Sequence, residues 1–487
     1  MRPLKTRHTL LLIYAALVAG VRLSLPAAPP ANGAGKLLHP PNFIIILADD
    51  LGYGDLGCYG SEKVATPRLD RMAAEGIRLT DFHVTAPICS PSRASLLTGR
   101  YAQRAGLPFV LFPTERKGLA PEEITLAEVL KERGYATACI GKWHLGFLPP
   151  FQPMRQGFDE FFGLPYSNDS ARQPEGKPFD PVLAPVELPL LRGTNVLEAP
   201  VVQETLTERY TEEAIQFIRR NRDRPFFLYL PHTFPHRPLH ASARFRGKSR
   251  GGLYGDTVEC LDWSTGRILD TLAELGLDDR TLVCFTSDNG PPPAAPAKGE
   301  QGGSGSAGPL RGWKFTAHEG GFRVPAIFRW PGKIPAGRVC PELASTLDLL
   351  PTFARLAGAR PPGDRTLDGK DIWPVLTSPK ARSPHKLFCY YLDHQLQAVR
   401  SGEWKLVLEQ PEYPALTTIM YTNRPQVMQK HFPLRDKPSL YNLETDVGEK
   451  HDVAAEHPGV VNRLTKLARD FDRRLQADKR PEAIIAP

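Results

Sequence analysis

The stretch CSPSRASLLTGR, residues 89–100, sets a single thiol ahead of a proline, an arginine and a helix-forming run. Cys89 is therefore expected to open a helix. The positive field at a helix N-terminus favours anions and thiolates, so this cysteine is either reactive or the precursor of something reactive. Four more groups with chemical potential follow short apolar runs. FIIILADD ends in Asp49 and Asp50, ATACIGKWH leads into Lys142 and His144, PFFLYLPHTFPH delivers His232 and His236, and TLVCFTSDN ends in Asp288 and Asn289. Taken singly, each has a plainer explanation: acidic pairs and Asp-Asn-Gly make turns, and a histidine after a strand serves packing. Taken together, three carboxylates and an amide oxygen make an oxygen-rich set suited to Ca²⁺ or Mg²⁺, with too little nitrogen or sulfur for zinc. His144 and His236 gain weight from sharing that location.

The elements that must position these residues are legible as alternating patterns. Apolar runs at 42–48, 136–141, 225–230, 281–287 and 324–330 are short enough for buried strands. Between and after them lie helical patterns at 121–134, 210–221, 256–275 and 345–358. This is the order of an α/β sheet protein, in which ligands bind beyond the carboxyl ends of the strands. From about residue 380 the pattern changes to short strands, KLFCYYL, LQAVRSGEWKLVLE and SLYNLE, with a terminal helix near 458–476. The expected division is a signal peptide over 1–30, a catalytic domain over 36–378, and a C-terminal subdomain with a small antiparallel sheet over 379–487. Two segments, 146–200 and 290–308, resist assignment and are candidates for the rim of a site.

Composition narrows the class. The chain of 487 residues has 61 Lys and Arg against 53 Asp and Glu, a net charge of +8, with no long basic run. That balance suits an anionic substrate and gives no reason to expect a nucleic acid partner. The seven cysteines are scattered without zinc spacing, and Cys139 and Cys284 fall in apolar runs where a thiol packs a core. Near the start, Arg2, Lys5 and Arg7 precede TLLLIYAALVAGV and then LPAAPPANGAG, the order of a secretory signal. An exported protein is expected, periplasmic or secreted, or of lysosomal type in a eukaryote, with no stable membrane insertion after cleavage. A retained N-terminal anchor is the alternative.

The residues also carry a family resemblance. CSPSRASLLTGR resembles the signature of the type I sulfatases, in which the cysteine of C-x-P-x-R is oxidised to Cα-formylglycine. LADDLGYGDLGCYG, TGRY, GKWHLG, GLPYS, TSDNG, GWKFTAHEGGFRVP and LDGKDI resemble sulfatase segments in family order, covering roughly residues 40–376. The likeness is to the arylsulfatase A and N-acetylgalactosamine-6-sulfatase kind, and the C-terminal part is similar only in general plan. It implies a sulfuric ester hydrolase with an alkaline-phosphatase-like fold, a large mixed sheet flanked by helices and a small C-terminal antiparallel sheet. It also implies a formylglycine-generating maturase as partner. By the resemblance, Asp49, Asp50, Asp288 and Asn289 hold Ca²⁺, with Mg²⁺ second, and the modified Cys89 or the sulfate completes the shell. Arg93 and Lys142 hold the nucleophile and sulfate oxygens, and His144 contacts the formylglycine hydrate. Ser167, His236 and Lys314 complete the sulfate pocket; His232 does not fall on the family position as well as His236 does.

The chemistry accounts for these residue types. A sulfate monoester is a shielded anion, so its hydrolysis needs fixed positive charge, which the metal, Arg93, Lys142 and Lys314 are expected to supply. A hydrated aldehyde carries two hydroxyls: one displaces the alcohol from sulfur, and the other, deprotonated by His144, releases sulfate. A phosphomonoesterase or phosphodiesterase of the same broad fold would carry Ser or Thr as nucleophile and often two zinc ions. An exported sulfated-glycan-binding protein without activity would lack a catalytic position, and each mapped position is filled. A papain-like cysteine hydrolase needs no acidic cage. The substrate, an aryl sulfate or a sulfated sugar or glycosaminoglycan, stays open. The sequon Asn168-Asp169-Ser170 stands beside Ser167, where a glycan would crowd the pocket, so it is expected to be unused.

Overall fold

Asn42–Ala48 (β1) is buried at every position, which only a central strand of a sheet covered on both faces allows. In the computed structural model of the protein, which describes residues 40–170, 187–293 and 304–486 apart from scattered positions within 416–431, β1 sits in the middle of a ten-stranded mixed sheet. The other strands are Ile77–Leu79 (β2), Ala136–Lys142 (β3), Glu160–Leu164 (β4), Leu190–Arg192 (β5), Asn195–Glu198 (β6), Phe226–Pro231 (β7), Thr281–Ser287 (β8), Ala326–Arg329 (β9) and Arg338–Cys340 (β10). Their order is β10-β2-β9-β8-β1-β7-β3-β4-β5-β6. The run from β8 to β4 is parallel throughout, and β9 and β5 join its two sides antiparallel. All five parallel strands thus end at the same edge, and the register pairs Ala48 with Ser287.

Successive β1 side chains point to opposite faces. Phe43, Ile45 and Leu47 pack with Leu96 and Leu97 of Cys89–Thr98 (α2), with Leu126–Lys131 (α3) and with Leu349–Leu356 (α6). Ile44 and Ile46 pack with Pro67–Ala74 (α1), Leu206–Arg220 (α4) and Gly252–Glu274 (α5). A second, four-stranded antiparallel sheet follows, Phe388–Leu392 (β11), Gln395–Ser401 (β12), Trp404–Val407 (β13) and Ser439–Asn442 (β14), covered by Pro458–Ala477 (α7) through Leu464, Ala468 and Leu475.

Several elements differ from the sequence reading. The helix expected from residue 121 starts at Leu126, because Thr125 and Glu128 form a reciprocal capping box that fixes the first turn there. The unassigned segment 146–200 holds β4, β5 and β6, where runs of three to five residues are too short for a periodic signal. β2 and β10 escaped notice for the same reason. Residues 1–39, where a signal peptide is expected, and residues 171–186 and 294–303 lie outside the described residues. All seven cysteines are unpaired, with Cys139 and Cys284 fully buried in the core. Among the described residues, no helix is long and apolar enough to cross a membrane.

Candidate active site

The shared sheet edge brings the strand-end residues together. Asp49 and Asp50 follow β1, Lys142 closes β3, and Asp288 and Asn289 follow β8. Gly141, at φ 135°, permits this approach: a Cβ there would lie 1.9 Å from the Pro231 carbonyl oxygen of β7. Opposite the edge, Cys89 is the first residue of α2, a helix buried along its whole length.

The cluster is tightly bonded. Lys142 Nζ donates to Asp49 Oδ2 at 2.5 Å and to Ser167 Oγ at 3.1 Å. Arg93 donates through Nε to Asp288 Oδ2 at 2.9 Å and through Nη1 to the Lys142 carbonyl at 2.7 Å, while its Nη2 is ion-paired, 2.8 Å from Asp288 Oδ2 and 3.2 Å from Asp49 Oδ2. Lys314 Nζ stands 2.8 Å from Asp50 Oδ1 and 3.5 Å from Cys89 Sγ, which itself lies 3.5 Å from Asp49 Oδ1. Asn289 Nδ2 donates to Asp50 Oδ1 at 2.6 Å, and the Asp50 amide donates to Asp288 Oδ1 at 3.1 Å. Asp50 and His144 hold left-handed backbones, φ 66° and 58°, a conformation that non-glycine residues adopt where surrounding structure enforces it.

Electrostatics follow from this packing. Burial pushes the Asp49 carboxyl up, but Lys142, His236, Arg93 and Lys314 outweigh it and hold the group well below the usual carboxylate range. Burial and the neighbouring Asp49 push Asp288 up to about 7 against the pull of Arg93. Burial opposes charge on Lys142 and Lys314, yet Asp49 for the one and Asp50 for the other raise both above the ordinary lysine value. They are fixed cations. The Cys89 thiol is pushed well up by burial and then by Asp49, so the unmodified side chain stays protonated. Helix position alone favours a thiolate, and burial opposes it.

The histidines divide. His144 Nε2 donates to the Leu111 carbonyl at 2.8 Å, which leaves Nδ1 as a bare acceptor, buried and without a hydrogen-bond partner. Burial, Lys142 and Arg93 hold this ring neutral. His236 Nδ1 faces the Arg237 carbonyl at 2.5 Å and Asn168 Oδ1 at 3.2 Å, so Nε2 turns to Asp50 Oδ2 at 3.6 Å. His232 lies apart, buried against Tyr210, with Nε2 3.4 Å from Ser264 Oγ. A cavity of about 50 Å³ over the cluster is lined by Cys89, His144, Ser167, His236 and Lys314, with Val110, Phe112 and Phe315 as an apolar wall. A larger cavity of about 590 Å³ between the small sheet and α7 contains none of the strand-end residues.

The residues could hold a metal ion. Ligand atoms of Asp49, Asp50, Cys89 and His236 all lie within 4.8 Å of one another. Asn289 Oδ1, beside Asp50, is buried with no hydrogen-bond partner, an oxygen in want of a donor or an ion.

Comparison with known proteins agrees with this geometry. The sulfatase family model matches residues 41–359, and that for the C-terminal region of aryl-sulfatase matches residues 383–482. The chain belongs to the sulfatase family. It is 38% identical to steryl-sulfatase of Mus musculus over 97% of this chain and 88% of that one. It is 41% identical to arylsulfatase A of Homo sapiens (88% and 87% covered) and 38% identical to N-acetylgalactosamine-6-sulfatase of Canis lupus familiaris (94% and 91% covered). The solved structure of Ps i-CgsB in complex with k-i-k-neocarrahexaose matches with TM-score 0.72 and 30% identity, covering 89% of this chain and 93% of that one. The resemblance read from the motifs is thus borne out, and this sulfatase is a sulfuric ester hydrolase.

Two contributors to the sulfatase pocket escaped the sequence reading. The Leu111 carbonyl sets the His144 tautomer, and a backbone acceptor leaves no trace in residue type. Asn168, read there only as a glycosylation sequon, is fully buried, donates to Gln203 Oε1 and the Pro238 carbonyl, and faces His236.

Proposed function

We propose that this sulfatase hydrolyses sulfate monoesters through a Cα-formylglycine made from Cys89, with a divalent ion, Ca²⁺ ahead of Mg²⁺, held by Asp49, Asp50, Asp288 and Asn289. The single observation that carries the reading is Cys89 at the first turn of α2, pointing between Asp49 and Lys314, in a chain that matches the sulfatase family. A formylglycine there supplies, as its hydrate, one hydroxyl for displacement at sulfur and a second for release of sulfate. The ion supplies positive charge. Three carboxylates, Asp49, Asp50 and Asp288, are matched by Arg93, Lys142 and Lys314, so an entering sulfate meets no surplus of fixed positive charge unless a divalent ion joins them.

The side chains divide the work. Arg93 and Lys142 hold the residue at position 89 and the sulfate oxygens, while Lys142 also fixes Ser167 against them. His144, neutral with a bare Nδ1, is suited to accept a proton. Lys314 and His236 face the departing oxygen: Lys314 as a fixed charge, and His236 through Nε2, which an arriving anion favours in the protonated form. The apolar wall of Val110, Phe112 and Phe315 suits the face of a ring, aryl or pyranose, on the leaving side. Such substrates agree with relatives named as sulfatases of a sterol, an aryl and an amino sugar, and with a related structure bound to a neocarrahexaose. Residues 36–378 form the catalytic domain and 379–487 the C-terminal subdomain; the enzyme is exported after loss of residues 1–30 and depends on a formylglycine-generating maturase.

Protein co-expressed with a formylglycine-generating enzyme should release sulfate from 4-nitrophenyl sulfate far faster than phosphate from 4-nitrophenyl phosphate. The reverse preference would select the phosphatase alternative.

A further inference from the structure

Glu449 follows β14 and is remote in sequence from every residue of the pocket, yet it is fully buried against the loop that carries Lys314. Its Oε2 accepts from the Glu319 amide at 2.7 Å, and its Oε1 faces His318 Nδ1 and Lys405 Nζ, each at 3.1 Å. Its carbonyl accepts from Arg311 Nη1 at 2.8 Å. These contacts grip both ends of the segment 311–319, which the Gly320 amide closes by donating to the Arg311 carbonyl at 2.7 Å. Arg435 Nη2, a donor only, lies 3.0 Å from His318 Nε2, so Nε2 accepts and the ring proton sits on Nδ1, aimed at Glu449. Glu449 holds φ 50°, a conformation the surrounding bonds must enforce.

The surrounding network has no surplus of negative charge. Glu449, Glu319 and Asp81 are faced by Lys405, Arg400 and Arg323. It therefore calls for no ion of its own, although Asp81, His83 and Glu319 alone have the spacing for one. A buried, charge-paired network of this kind fixes a geometry more than it adds stability. At the turn of the gripped loop, the Lys314 amide donates to the Pro291 carbonyl at 2.9 Å and the Phe315 amide to the Pro87 carbonyl at 3.0 Å, which sets Nζ against Asp50 and Cys89.

We infer that Glu449 is a positioning residue for Lys314: the C-terminal region closes the ends of the 311–319 loop and so holds the leaving-group lysine on target. This rests on the role of Lys314 proposed above. Misplacing a reacting group by about 1 Å can cost on the order of 100-fold in rate.

A double-mutant cycle tests it. The matured enzyme, Lys314→Ala, Glu449→Ala and the double variant are compared by kcat/KM on phenyl sulfates of graded leaving-group acidity. Glu449→Ala is expected to lose roughly 10- to 100-fold on the poorest leaving group and little on the best, and to add less than about twofold in the Lys314→Ala background. Arg311→Met, at an exposed position, loosens the same grip without burying a lone charge, and should show the same pattern on a smaller scale even if Glu449→Ala does not fold. Equal losses on all leaving groups, or full losses in both backgrounds, would show that Glu449 is only structural. A wild-type enzyme that releases no sulfate at all would overturn the proposed function itself, and this inference with it.

Discussion

Lys314 Nζ straddles the Asp50 carboxylate, 2.8 Å from Oδ1 and 2.9 Å from Oδ2, joining a loop after β8 to the end of β1 inside the pocket. The same nitrogen lies 3.5 Å from Cys89 Sγ, so one cation touches both the acidic cluster and the side chain at position 89. A lysine in that place serves the departing oxygen best when the alcohol is a poor leaving group.

Lys314→Ala should accordingly lose more rate on a sulfated sugar than on 4-nitrocatechol sulfate. The loss expected for a preorganised charge is about 2.7 to 4 kcal/mol on the poor leaving group, shrinking as leaving-group acidity rises. A loss of kcat/KM that is constant across the series would confine Lys314 to sulfate binding.

Removing the divalent ion should abolish sulfate release, and returning Ca²⁺ should restore it. Binding to the folded state alone also stabilises it, by about 2.7 kcal/mol at an ion concentration 100 times the Kd. Thermal melts with and without Ca²⁺ should show this rise for the wild type and none for Asp50→Ala. A melt of the wild type indifferent to both Ca²⁺ and Mg²⁺ would count against the cage.

Asn168→Leu should lower kcat/KM roughly tenfold or more through misorientation of His236, and should also lower Tm because Gln203 and the Pro238 carbonyl lose their donor. The buried amide, already bonded to Gln203 and Pro238, leaves no room for a glycan. Protein from a glycosylating host should therefore show an unmodified Asn168 peptide; an occupied sequon would contradict the packing around His236.

His385, just before β11, bonds to Asp348, just before α6, with Nε2 2.8 Å from Oδ1 and 2.9 Å from Oδ2. Burial lowers the pKa of the imidazole, but Asp348 outweighs it, and the folded value lies above the unfolded value of about 6.5. The pair's contribution is present in full below about pH 6.5 and is lost as pH rises through the folded pKa. His385→Leu should cost about 1.5 to 3 kcal/mol at about pH 5.5 and clearly less at about pH 9. Denaturant midpoints at the two pH values decide it, and an effect that grows with pH would reverse the sign.

Much of the pocket was legible because chemistry sits at strand ends. Asp49, Asp50, Lys142, Asp288 and Asn289 follow apolar runs, and parallel pairing puts those ends on one edge. Lys314 and Ser167 follow no recognisable strand; motif resemblance alone pointed to them, since loops carry no period from which placement is read. The tautomer of His144 depends on the Leu111 carbonyl, and the seat of Lys314 on Glu449, 135 positions away. Such long-range bonds are products of packing and are invisible to spacing. The start of α3 is ambiguous in the sequence because Pro121 and Glu122 also suit a first turn, and only the capping box of Thr125 decides between them.

The proposed chemistry depends first on the side chain at position 89. Active enzyme co-expressed with a formylglycine-generating maturase should be digested and the peptide holding Cys89 weighed by mass spectrometry. The expected result is a peptide that has lost its sulfur and gained an aldehyde, in a fraction that tracks specific activity from preparation to preparation. Full activity in a preparation whose Cys89 peptide retains an unmodified thiol would contradict the account at its centre.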